Sequence, residues 1–360
     1  MAQEQFVCIP VDKLYQFSID CFSSVGFIPE HAKIISDSLI EADLRGLNTH
    51  GVLRIPMYIK RVLHGVLDPN ADVTVALETD SFTVFNANNG MGQIASIKAM
   101  DYAIEKASEK GLYLTGVRNS NHFGTAAYYT MRAAGRGMIG ICCSNTESLM
   151  PAPGGAEKIV GNNPFSLAFP GGNHPPIVVD MAVSAAAIGK VVLAAKEGKS
   201  IPIGWATDKF GVETLDPLVA LDQGFLLPVG GPKGYGLSIA IDILAGLLMG
   251  AGFGGRVRCP FNDYSGPQDL GHMFLALRID AFMEDKEYYD KVQELIERTK
   301  NSTKASGVSD IYLPGEIENS RAVLNRGNGV NLHVDLVHEL ALFADTLNIK
   351  ENRLQEYLNN

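Results

Sequence analysis

Residues 82–118 read FTVFNANNGMGQIASIKAMDYAIEKASEKGLYLTGVR, and the parsing of this stretch decides the fold. Phe82–Asn86 has the β-rich composition of a strand, Ile94–Lys110 carries apolar residues at helical spacing, and Leu112–Val117 is a second strand after the break at Gly111. Between strand and helix lies Gly90-Met91-Gly92-Gln93-Ile94-Ala95, which fits the glycine pattern of a dinucleotide-binding turn. In that motif the second strand ends in an acidic residue that holds a ribose. Here it ends in Arg118. The pattern recurs at Gly135–Gly140, between a helix and a strand, and at Gly250–Gly255, after a helix; both are in the wrong order. The glycines therefore read as turns and caps. The expected fold is α/β or α+β with a mixed sheet.

Working outward, Val73–Leu77 pairs with Phe82–Asn86 as a hairpin. Upstream, helices are expected at Val11–Val25 and Pro29–Leu44. In the second, Pro29 suits the first turn, Glu30 complements the helix N-terminus, and Gly46 ends the helix. The loop Asn48-Thr49-His50-Gly51 leads to a third helix, Val52–Leu63, stopped at Gly65. Downstream come a loop Arg118–Phe123, a helix Gly124–Ala134, and strands Met138–Cys143, Ser166–Phe169 and Pro176–Met181. Asp285–Thr299, Asp335–Ala344 and Lys350–Leu358 read as helices, the last two packing back on the first lobe. The expected division is a helical lobe (1–72), an α/β region (73–319) and a C-terminal helical segment (320–360).

Composition narrows the functional classes. The chain of 360 residues is 46% apolar and 19% charged, with a net charge of −10, and no basic stripe exists to meet nucleic-acid phosphates. The most apolar window, Leu237–Phe253, is shorter than the ~20 residues of a membrane span and contains Asp242, so it reads as a buried helix. Met1–Pro10 lacks the pattern of a signal peptide. The five cysteines (Cys8, Cys21, Cys142, Cys143, Cys259) lack redox or metal spacing and read as reduced, mostly buried thiols of a cytoplasmic protein. Cys142 and Cys143 should point to opposite faces of one strand. No metal site is expected: His333 and His338 alone approach ligand spacing, and His338 reads as solvent-facing.

Six motifs then carry a family resemblance. They are Asn48-Thr49-His50-Gly51-Val52-Leu53-Arg54 with Tyr58; Arg118-Asn119-Ser120-Asn121-His122-Phe123-Gly124; Gly154-Gly155-Ala156 with Gly161-Asn162-Asn163-Pro164; Val179-Asp180-Met181-Ala182; Gly231-Pro232-Lys233-Gly234-Tyr235-Gly236; and Leu313-Pro314-Gly315-Glu316. In this order and spacing the chain resembles the malate/L-lactate dehydrogenase family, which includes sulfolactate, ureidoglycolate and diketogulonate oxidoreductases. The resemblance implies NAD or NADP bound in a non-Rossmann α/β fold, a small carboxylate substrate, and a homodimer with sites near the subunit interface. Thr49 stands where the family usually has serine; the hydroxyl is kept and a methyl is added.

Hydride transfer to or from a hydroxy acid needs a group that trades one proton with the substrate oxygen, and histidine, with an ordinary pKa of about 6.5, can do so at neutral pH. His50 and His122 both match residues given this role in relatives, and either or both could fill it. A loop histidine more often only caps backbone. Asp180 could orient a histidine as third member of a relay with Thr49. Arg54, four residues after His50, could grip a carboxylate through two parallel bonds, with Tyr58 one turn on and Arg118 as a second anion binder. For the cofactor the resemblance points to Thr146, Asp180, Met181, Ala182, Lys233 and the Gly315-Glu316 turn; glycines beside Lys233 allow close approach of a phosphate. The substrate reads as a 2-hydroxy or 2-keto acid such as malate or lactate, or alternatively as ureidoglycolate or a cyclic 2-imino acid. An inactive relative acting as a binding protein is the reading from another class.

Overall fold

The computed structural model describes residues 6–349 and 354–358. The chain opens with β1 (Phe6–Ile9), α1 (Val11–Ser24) and α2 (Pro29–Leu44), the last with Pro29 in its first turn. Two 3-10 turns, Asn48–His50 and Val52–Arg54, lead into α3 (Ile55–Leu63). The hairpin β2 (Thr74–Glu78) and β3 (Phe82–Asn86) is followed by α4 (Gly92–Lys110), β4 (Leu112–Ser120), α5 (Ala127–Ala134), β5 (Met138–Ser144), β6 (Phe165–Phe169) and β7 (Ile177–Met181). A smaller insertion holds α6 (Ile188–Lys196), β8 (Ala206–Thr207), α7 (Pro217–Gln223) and β9 (Phe225–Leu226). After it come α8 (Pro232–Ile241), which runs into a π-helical turn at Asp242–Leu247, then β10 (Leu270–Arg278) and α9 (Asp285–Lys300). The chain closes with α10 (Glu316–Asn328), β11 (Val330–His333) and α11 (Val334–Thr346). Of the predicted helix at Lys350–Leu358, residues 350–353 lie outside the described residues, and Leu354–Leu358 is a 3-10 turn.

The seven-stranded sheet has the order β2-β3-β4-β10-β5-β6-β7. β3 and β4 are parallel, joined by the α4 crossover, and every other neighbouring pair is antiparallel. The mixed α/β sheet expected from the sequence is therefore present. α4 and α5 cover one face, burying Ala99, Met100 and Ile104 against Phe85, Tyr113 and Phe274. α8 and the π turn cover the other, where Ile241 and Ala245 meet Cys143. Cys142 lies in the first layer and Cys143 in the second, as strand alternation requires. A separate core joins α1, α2 and α3 to the β1–β11 pair and α11.

Two readings are corrected. The Leu237–Phe253 window is not a buried helix: its inner side packs on the sheet, but Leu237, Ile243, Leu244, Leu247 and Leu248 form an exposed stripe, with Leu248 62% accessible. The apolar average of the window merges two faces, one covered by the sheet and one left exposed among the described residues. β10 is the second. It went unpredicted, yet it occupies the centre of the sheet and pairs with β4 on one side and β5 on the other.

Gly271 shows how closely β10 is packed, since a Cβ there would lie 1.8 Å from the Ala245 carbonyl oxygen in the π turn. Backbone cannot give way as a side chain would. Gly271→Ala should lower stability by about 1–3 kcal/mol, the usual cost of overpacking. The expected signature is a lower urea midpoint with an unchanged slope.

Candidate active site

The site is built on Asp43, near the end of α2 and fully buried. Its Oδ2 accepts a 2.8 Å hydrogen bond from the Val52 amide, whereas Oδ1 has no partner. Gly51 lies directly over the carboxyl: a Cβ would fall 1.9 Å from Oδ1, so only glycine fits. Burial pushes the Asp43 carboxyl up to about 7 despite the Val52 bond. This clamp fixes the two 3-10 turns that carry Thr49, His50 and Arg54.

Within those turns Thr49 Oγ1 lies 3.0 Å from His50 Nδ1, and Arg54 Nε donates to the Thr49 carbonyl at 2.6 Å. The Arg54 guanidinium sits over the Phe261 ring, 4.8 Å from its centroid, and forms no ion pair among the described residues. One turn on, the Tyr58 hydroxyl is 2.6 Å from His122 Nδ1. The His50 and His122 rings stack with centroids 5.6 Å apart at 25°. Thr49, His50, Arg54, Tyr58 and His122, singled out from the sequence, thus converge from two regions of the chain.

His122 is held from several sides. Its amide donates to Gln268 Oε1 at 2.9 Å, and the start of α4 presses so close at Gly92 that a Cβ would lie 2.1 Å from the Asn121 carbonyl oxygen. The loop carrying Gln268 and Phe261 is tied to α3 by Arg61, which donates to the Asp263 and Gly266 carbonyls at 3.0 and 3.3 Å. Desolvation, then the positive charge of Arg54, brings His50 down to about 4. The same causes in the same order, with smaller contributions from His50 and His272, hold His122 well below its ordinary range. Both imidazoles are therefore neutral at pH 7, beside a cation.

A second group follows the strand that leaves β7. Val183 N donates to the Asn162 carbonyl at 2.7 Å, and Val229 N to the Val183 carbonyl at 2.8 Å. This brings Met181 and Ala182 between Thr146, whose Oγ1 donates to Asn162 Oδ1 at 2.9 Å, and the turn that starts α8. In that turn Gly230 and Gly231 both have positive φ (62° and 63°), and the exposed Lys233 stands in the first turn of the helix. A helix start beside a lysine suits a phosphate. The insertion also reaches the turn that carries His50, because a Cβ at Gly189 would lie 3.4 Å from the Thr49 methyl.

Four predicted residues stand apart. Asp180 accepts a hydrogen bond from the Ala127 amide and faces Arg45; burial raises it to about 6, and neither histidine is among its partners. Arg118 turns to the α8 side of the sheet, near Gly250. Glu316 is bound by Lys300 and accepts from the Leu313 amide at 2.9 Å, while Gly315 packs on Val178, so this turn serves the edge of the sheet. Sequence reasoning missed Asp43, Gln93, Phe261, Gln268 and His272. Gln93 sat inside a glycine stretch read only as a turn. His272 lies fully buried between the Ser144 and Ser120 hydroxyls, at 2.8 and 2.9 Å.

His50 gives a direct check. Because its pKa is lowered, the ring stays neutral as pH falls through 6.5 and gains its proton only near 4. A histidine-resolved NMR titration of the ligand-free protein should show this midpoint; one near 6.5 would mean that the ring is solvated and outside the field of Arg54.

The family model described as malate/L-lactate dehydrogenase matches residues 9–341. L-sulfolactate dehydrogenase of Methanocaldococcus jannaschii is 38% identical over 343 residues, covering 94% of this chain and 96% of that protein. The solved structure of sulfolactate dehydrogenase from that organism superposes with a TM-score of 0.90 at 36% identity, covering 98% of this chain and all of the other. The NAD(+)-dependent ureidoglycolate dehydrogenase of Escherichia coli K12 is 30% identical over 336 residues, covering 93% and 95% of the two chains.

Proposed function

The chain belongs to the malate/L-lactate dehydrogenase family, and from that premise we propose that it interconverts a small 2-hydroxy acid and its 2-keto acid with NAD or NADP. One observation carries the reading: an arginine that forms no ion pair among the described residues, its nearest charged influence being Glu147, stands beside two neutral, half-buried histidines. Arg54 takes the substrate carboxylate, whose charge it matches and whose two oxygens suit the guanidinium fork. That grip sets the hydroxyl-bearing carbon next to the stacked imidazoles, where the substrate oxygen exchanges its proton. The nicotinamide dinucleotide, when bound, supplies the hydride acceptor or donor. Lys233 and the amides that open α8 hold its phosphates, and Thr146, Met181 and Ala182 line its path. Ureidoglycolate or a cyclic 2-imino acid also carries a carboxylate beside the reacting carbon, so the Arg54 grip serves these as well.

The test is the change in reduced-nicotinamide absorbance with NADH or NADPH, a panel of 2-keto acids and one cyclic imino acid. Turnover of at least one panel member is expected; cofactor binding without any turnover would sink the substrate class. With the working substrate, Arg54→Lys should raise KM sharply, because a lysine cannot reproduce the two-point grip. An unchanged KM removes Arg54 from the substrate site.

We further propose a homodimer in the cytoplasm. The apolar stripe from Leu237 to Leu248 on α8 and the π turn supports a second copy as its cover, and the five cysteines, all unpaired, suit a reducing compartment. Sedimentation should give twice the chain mass, and a charged substitution at Leu248 should shift the protein towards monomer. A wild-type protein that sediments as a monomer at micromolar concentration would refute this.

A further inference from the structure

Two histidines stack in one cleft, and hydride transfer needs only one proton exchanged. Their neighbours differ in one physical respect. His122 Nδ1 faces the backbone amide of Gly124 at 3.4 Å, a group that can only donate. A nitrogen met by a fixed N–H carries no proton of its own, so the proton of the neutral ring sits on Nε2. The Tyr58 hydroxyl, 2.6 Å from the same Nδ1, must then give it its single hydrogen. The phenol oxygen is left to accept, and Gln93 Nε2 donates to it at 3.1 Å. This orientation leaves Gln93 Oε1 buried without a partner. An unpaired buried acceptor is costly, and turning the amide round would spare it only by reversing every bond in the chain.

His50 Nδ1 instead faces Thr49 Oγ1 at 3.0 Å, a hydroxyl that can donate or accept by rotating its hydrogen. His50 is therefore free to change its protonation state, and His122 is not.

We propose that Gln93 is a positioning residue which, with the Gly124 amide and Tyr58, locks His122 as an Nε2–H hydrogen-bond donor and leaves proton exchange to His50. In hydroxy-acid oxidation the C–H bond breaks and its electron pair leaves as hydride to the oxidised nicotinamide. The O–H proton passes to a nitrogen of His50, and the C=O bond forms. Throughout, His122 Nε2–H holds the reacting oxygen and offsets its developing charge without taking its proton. This assignment rests on the dehydrogenase reading given above, but the tautomer itself does not depend on turnover.

The first test is a two-bond 1H–15N correlation on ligand-free protein labelled at histidine, with the His122 signal assigned by its loss in His122→Gln. The Nε2–H pattern is expected, and an Nδ1–H pattern would overturn the proposal. In Gln93→Glu the carboxylate accepts from Tyr58, so the ring proton should move to Nδ1 and turnover should fall about 10²–10³-fold, the usual loss of one such donor. Retention of Nε2–H in that variant would remove Gln93 from the lock. A glutamine side chain keeps an N–H but exchanges no proton. His122→Gln should thus recover much of the activity lost in His122→Ala, while His50→Gln should be no better than His50→Ala. The reverse pattern would overturn the division of roles. The Nε2–H pattern without turnover of any substrate would instead count against the dehydrogenase reading alone.

Discussion

A carboxyl without a counter-ion, buried beneath a glycine, is the contact on which the site depends. Asp43 can stay under Gly51 only because the Val52 amide meets one oxygen and because its raised pKa lets it be neutral near pH 7. No residue with a Cβ can stand above it. The chain leaving α2 must therefore turn there, and Thr49, His50 and Arg54 are delivered together on the far side. From the same lobe Tyr58, packed in the core of α1–α3, reaches across to His122. The helical lobe and the sheet thus meet through the reacting groups themselves.

Electrostatically, the centre is a positive field in a poorly solvated cleft. Arg54 depresses both imidazoles, and so do their own burial and, at His122, the neighbouring ring. A docking carboxylate neutralises that field, and whatever cancels the charge of Arg54 makes His50 easier to protonate. Anion binding and proton uptake are linked by this geometry, each favouring the other. The same linkage keeps the empty site from holding a proton that it has no substrate to receive.

Much of this was legible in the sequence, and the failures have physical causes. The helices α1 and α2, the β2–β3 hairpin and the strands from β4 to β7 announced themselves through spacing and turn residues. The motif residues around His50 and His122 carried the resemblance. β10 did not show itself, because Leu270-Gly271-His272-Met273-Phe274-Leu275-Ala276-Leu277-Arg278 has no β-branched residue and no alternation. A central strand buried on one face and half-buried on the other needs neither. The exposed stripe on α8 was hidden by averaging over a helix whose two sides are both apolar for different reasons. Gln93, Gln268 and Phe261 meet Tyr58, the His122 amide and Arg54 from distant parts of the chain, and nothing local marks a glutamine as a hydrogen-bond partner. Asp180 reads from its strand-end position as a group that could orient a histidine; in this chain its partners are Arg45 and the Ala127 amide.

The central position of β10 also bears on how the protein is made. Its partners β4 and β5 leave the ribosome long before it, and at about 5–20 residues per second their facing edges wait several seconds for the strand that belongs between them. Both run antiparallel to β10 and so parallel to one another, which makes them geometrically able to close the gap on their own or to capture an edge from a neighbouring nascent chain. The last strand to enter the sheet must find that slot still open. The sheet's strand order thus places its hardest step in assembly, the entry of one late strand between two early ones, rather than in the stability of the finished molecule.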